Sequence, residues 1–162
     1  MSTFYEITQV IKNKLQEDIF VNTVTTGDIF KVDLNKQTIF PLSHIIVNSV
    51  SYQGAVLNYN ISILCMDIVD ESKSKVTDIF LGNDNEQDVL NTQLAVANRF
   101  LEVLSRGALA EDYELVNGTA NIEFFTERFE NKIAGVTFTF DIAIENKTPN
   151  ASLSISQKAE LL

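Results

Sequence analysis

From Tyr59 to Gly107 the chain runs from a long β-prone stretch, through a polar connection, into a long amphipathic helix, with no arrangement of catalytic or metal-binding side chains along the way, which points to a part of a larger assembly rather than an enzyme. Leu57, Tyr59, Ile61, Ile63 and Cys65 alternate onto one face of the first stretch. Asn58, Asn60 and Ser62 occupy the other, until Leu64, Met66 and Ile68 turn that side apolar as well. The pattern predicts a strand over 56–69, half exposed at its start and covered on both sides near its end by a helix or a neighbouring subunit. A helix is predicted over 86–106. Leu90, Leu94, Ala97, Leu101 and Leu104 form one stripe and Val89, Val96, Phe100 and Val103 a second beside it. Asp84 or Asn85 can cap this helix, Glu86 and Asp88 suit its positive end, and Gly107 suits a left-handed residue at its close.

The remaining segments fit around this pair. Phe4, Ile7, Ile11 and Leu15 predict an N-terminal helix over 4–16, with Thr3 and Glu6 as a capping box. Two β-prone runs flank Thr26-Gly27 and predict a hairpin. Pro41 belongs at a strand start or an edge. A strand over 44–52 leads through a tight turn at Gln53-Gly54 into the long strand. Asn117-Gly118 is a second tight-turn signal. Val136, Phe138, Phe140, Ile142 and Ile144 alternate with Thr137, Thr139, Asp141 and Glu145, which predicts an antiparallel strand with one core face and one wet face. The fold class is therefore α+β: a mainly antiparallel sheet packed by an N-terminal helix and one long central helix. Residues 1–146 form a single domain, and the polar stretch 147–162 is a C-terminal arm.

The chain has 162 residues, 45 % of them hydrophobic, which suits one core. It lacks the apolar run of a transmembrane helix and the basic, apolar start of a signal peptide, so a cytoplasmic origin and no membrane partner are expected. The net charge is −10, with no basic cluster, which argues against binding driven by nucleic-acid phosphates.

The residues that carry chemistry are sparse. Cys65 is the only cysteine and sits in an apolar strand, the setting of an inert thiol. His44 is the only histidine and precedes a β-branched run, so it reads as structural. No spacing supports zinc or a phosphate-cradling loop. Asp67, Asp70, Glu71, Asp78, Asp84, Glu86 and Asp88 are acidic neighbours, but they miss the calcium-loop spacing and read as a solvated loop plus helix-end charges. Asp67 shares its face with Ile63, Cys65 and Val69 and needs a partner, which Arg99, Arg128 or a neighbouring subunit could supply. No catalytic, cofactor-binding or metal residue is assigned, and no cofactor. The polar loop 71–85 carries one apolar triplet, Ile79, Phe80 and Leu81, either tucked against its own domain or offered to a partner.

The order of elements over residues 3–145 resembles that of tail terminator and neck proteins of tailed bacteriophages. The run Asn60-Ile-Ser-Ile-Leu-Cys-Met-Asp67, followed after the loop by Asp-Val-Leu-Asn-Thr-Gln-Leu-Ala-Val at 88–96, is similar to the strand and helix of that family. The terminal pair FTERFENKIAGVTFTFDIAI is similar to its closing hairpin. The chain also resembles structural proteins of crAss-like phages, in which comparable folds serve as tail-hub subunits. The resemblance implies a virion subunit without enzymatic activity. It would act as a homo-oligomeric ring at the head–tail junction or tail, docked on other neck, tail or portal-associated proteins, with DNA passing through unbound. The loop and the tail would be docking arms, with Ile79, Phe80, Leu81, Leu153 and Ile155 as contact residues. A monomeric α+β adaptor or ligand-binding domain is the alternative, and an enzyme using the acidic loop and a divalent metal a third.

Overall fold

The computed structural model describes residues 3–32, 37–70, 80, 85–128 and 132–146. Two helices, α1 (Thr3–Gln16) and α2 (Glu86–Arg106), pack on a six-stranded sheet. The strands are β1 (Thr23–Thr26), β2 (Leu42–Gln53), β3 (Val56–Ile68), β4 (Glu114–Leu115), β5 (Asn121–Arg128) and β6 (Ile133–Glu145). The sheet order is β1-β2-β3-β6, with β4 and β5 both on the outer side of β6. All pairings are antiparallel except β1 with β2. The fold is α+β.

One face of the sheet carries the main core. Ile61, Ile63, Cys65, Val136, Phe138, Phe140 and Ile142 meet Ile7, Ile11 and Leu15 of α1 and Val96, Ala97, Phe100 and Leu104 of α2. Phe100 lies 6.0 Å from Phe138 and 5.8 Å from Phe140, a three-ring centre. The buried line on α2 draws on both stripes, Val89, Val96 and Phe100 from one and Ala97 and Leu104 from the other, while Leu90, Leu94, Leu101 and Val103 are half-buried. The stripe on α1 runs through Ile7, Ile11 and Leu15, but Phe4 is exposed, and the Thr3 side chain lies outside the described residues.

The second face is apolar only at one end. There Leu64 and Met66 share their face with Leu42, Ile133 and Phe125 of the neighbouring strands, and Phe40, Ile29, Val32 and Ile39 pack against this cluster. The cover is thus the chain's own 3₁₀ turns (Ile29–Lys31 and Gln37–Ile39) and the adjoining Phe40, rather than a helix or a second subunit. Gly135 makes the β3–β6 pairing possible at this end. A Cβ there would overlap the Cys65 carbonyl oxygen and lie 2.8 Å from the Met66 Cα, so only glycine lets the strands close.

Four turn expectations change. Gly27 turns the chain at φ 99°, but β1 forms no hairpin. The run after it coils into a 3₁₀ turn, and β1 instead pairs parallel with β2, Thr23 opposite Leu42. Asn117 and Gly118 both take positive φ, as an Asn-Gly turn requires, yet reverse nothing. They form an excursion between β4 and β5, which run along the same edge of β6 one after the other. Gly107 is not left-handed (φ −105°). A Cβ would stand 2.7 Å from the Val103 Cα, so its reason is the chain folding back on the last helical turn. The tight turn expected at Gln53-Gly54 forms one residue later: Gln53 still pairs with Val56, and Gly54–Ala55 is a two-residue loop with positive φ at Gly54.

Candidate functional site

The far end of the sheet, where β2 and β3 join, has no helix or turn on its second face among the described residues, and polar side chains lie across it. The Asn48 amide donates to Asn60 Oδ1 at 2.9 Å and Ser62 Oγ at 2.8 Å. The Asn60 amide donates to Asp141 Oδ1 at 2.8 Å, and Ser62 shares a 2.8 Å hydrogen bond with Thr139. This ladder crosses β2, β3 and β6 and fixes side chains that would otherwise be solvated singly.

A bulge sets which side chains of β2 reach this face. The register slips between Val47 and Ser49, so Ser49 and Ser51 oppose Asn60 and Asn58 on the polar face. Val50 and Tyr52 then oppose Tyr59 and Leu57 on the helix-bearing face, where both stay exposed. The signal was in the sequence: the apolar spacing Ile45, Val47, Val50, Tyr52 skips a residue, which is the trace of a bulge.

Other large apolar side chains stand outside the core. Phe4 and Tyr5 touch edge to face at 5.9 Å, and Ile19 and Phe20 share the turn after α1. That turn is held by Asp18, itself buried, whose Oδ1 accepts the Phe20 N–H at 2.9 Å. Of the contact residues expected from sequence, Phe80 is 82 % exposed, and its carbonyl accepts the Gln87 amide at 2.9 Å, which ties the loop to the first turn of α2. Ile79, Leu81, Leu153 and Ile155 lie outside the described residues. Asn85 stands at the N-cap of α2 without capping it. Its Oδ1 accepts the Asp70 N–H at 2.7 Å and so joins the end of the β3 segment to the helix start.

The residues weighed for chemistry are occupied structurally. His44 is buried, with Nδ1 2.7 Å from Thr25 Oγ1 and Nε2 2.8 Å from the Gly27 carbonyl. It pins β1 to β2, and burial holds its pKa below the ordinary 6.5. Cys65 is fully buried beside Ser43, and burial pushes its thiol up to about 12, which leaves no thiolate at neutral pH. Asp67 does not pair with Arg99, and the Arg128 side chain lies outside the described residues. The Asp67 Oδ1 accepts the neighbouring Ile68 N–H at 2.8 Å, and partial burial raises the pKa of Asp67. Arg99 instead donates to the Lys14 carbonyl at 3.0 Å, capping the end of α1, and meets Glu17 at 3.3 Å.

Concavities are found among the described residues as well. A groove of about 240 Å³ between α1 and β1 is lined by Thr8, Gln9, Lys12, Val24, Thr25, Thr26 and Ile45. A wider cleft of about 440 Å³ beside β4 is acidic, with Glu111, Asp112, Glu114 and Glu145 at its walls. No group of three His, Cys, Asp or Glu placed to hold a metal occurs among the described residues, and no helix among them is long and apolar enough to cross a membrane. No protein-family model matches the chain, and no curated protein is significantly similar to it.

Proposed function

We propose that the chain is a non-enzymatic structural subunit of a tailed-bacteriophage virion, working as a homo-oligomeric ring at the head–tail junction or in the tail. The observation that carries the reading is the set of large apolar side chains left outside the core: Phe4 with Tyr5, Ile19 with Phe20, Val50 with Tyr52, Phe124 on β5, and Phe80 on its loop. A chain that buries its own core this well has use for such residues in contacts with other chains. The succession of elements on which the phage resemblance rests supports the same reading, with β1 displaced to the sheet edge. The charge of −10 suits a conduit that DNA passes without adhering. Neck, tail or portal-associated proteins would be the docking partners.

The test is a triple substitution, Ile79→Ser, Phe80→Ser and Leu81→Ser. Incorporation into particles is expected to be lost while circular dichroism of the isolated chain is unchanged. Normal particles carrying the variant would remove the loop from the assembly, and absence of the wild-type chain from mature particles would remove the function itself. The groove between α1 and β1 supports a second reading, a monomeric adaptor or ligand-binding domain. Native mass by light scattering separates the two.

A further inference from the structure

The outer edge of β2 is unpaired from Ile46 to Gln53 among the described residues, because β1 covers only Leu42–Ile45. All side chains from Asn48 to Gln53 are exposed, and none from Ile46 to Gln53 is charged. Open edges are normally guarded by charge, proline or a bulge, since their free backbone groups template pairing with another strand. Here the bulge at Asn48 stands without charge or proline beside it. The edge alternates, with Val50 and Tyr52 toward the helix-bearing face and Ser49 and Ser51 toward the polar face.

One other segment carries the matching alternation. It is Ser152-Leu153-Ser154-Ile155-Ser156-Gln157, which follows β6 after Asn146 and a short link. Asn146 fixes where the link begins. Its N–H donates to the Ala55 carbonyl at 2.7 Å and its amide to the Gly54 carbonyl at 3.1 Å, so the chain leaves the sheet at the β2–β3 turn, where the open edge ends. A strand added to β2 of the same chain would lie three strand spacings from β6, about 14 Å. The link Lys147–Ala151, fully extended, carries the chain about 20 Å from Asn146 to Ser152, which leaves about 6 Å for the two turns and the passage round the Gly54–Ala55 loop. The edge of a second copy carries no such limit.

We propose that residues 152–157 of one copy add as a strand to the open β2 edge of a second copy, with Leu153 and Ile155 against Val50 and Tyr52. This rests on the self-assembly reading and names its contact. Main-chain hydrogen bonds give such strand addition its affinity, and the side-chain alternation gives it its register.

Amide hydrogen exchange over residues 46–53 of the full chain, at low and high micromolar concentration, tests it, with light scattering on the same samples. Slower exchange at the higher concentration is expected. That slowing should be lost in Leu153→Ser/Ile155→Ser and, independently, in Val50→Lys, with each variant's fold checked by circular dichroism. Edge exchange that ignores concentration, in a chain that still self-associates, overturns the strand addition and leaves the ring reading standing. A chain that stays monomeric throughout overturns both. Slowing that survives both substitutions hands the edge to some other segment and overturns the proposal.

Discussion

Burial favours the neutral form of His44, although both of its hydrogen-bond partners could accept from a doubly protonated ring. Its Nε2 lies 2.8 Å from the Gly27 carbonyl, which only an N–H can satisfy. Its Nδ1 then accepts from Thr25 Oγ1 at 2.7 Å. Burial lowers its pKa from 6.5, opposed by the Gly27 hydrogen bond and the nearby Asp28 carboxylate. The unfolded chain therefore takes up the proton first as pH falls. The contribution of His44 to stability is full above 6.5 and declines as pH drops through that value toward the lower folded pKa. Urea midpoints are expected to fall between about pH 7 and 5. His44→Gln, which keeps one donor and one acceptor, should flatten part of that slope. An unchanged slope in this variant would place the pH dependence elsewhere.

Among the elements, α2 is the one whose loss would unmake the fold, because Phe100 joins it to both aromatic residues at the centre of β6. Phe100 is fully buried, and truncating a buried phenylalanine costs about 3–5 kcal/mol. Phe100→Ala is expected to lower stability by about that much in urea titration, whereas Leu101→Ala, on the half-buried flank, should cost markedly less. Both helices, the strands β2, β3 and β6, and the glycine turn between β2 and β3 were legible because each has a regular period and a clear break. What escaped depends on distant partners. Nothing local tells β1 to lie parallel to β2 rather than fold on the run after Gly27. The Asn117-Gly118 signal reports positive φ and not whether the chain reverses. The cover over Leu64 and Met66 comes from 3₁₀ turns too short to carry a period. As for the candidate site, Phe80 was legible as an apolar residue on a polar loop. The Asn48–Asn60–Asp141 ladder was not, since it joins three strands across long separations.

For the molecule as a whole, a charge of −10 works against contact between identical copies. Apolar and backbone contacts must then overcome mutual repulsion, which salt screens over about 8 Å at physiological strength. Self-association is expected to strengthen as salt rises from low to physiological concentration, read by light scattering. Weakening with salt would mean that opposite charges hold the copies together, at odds with the uncharged edge of β2. The side on which that edge shows its apolar residues is set by a single extra residue. Were Asn48 to take a regular place opposite Asn60, with no bulge, Val50 and Tyr52 would turn from the helical side of the slab to the hydroxyl-and-amide side. The buried half of β2 would not feel the change. A partner fitted to the original surface would meet serines where it needs grease, so that one position sets the molecule's handedness toward its neighbours.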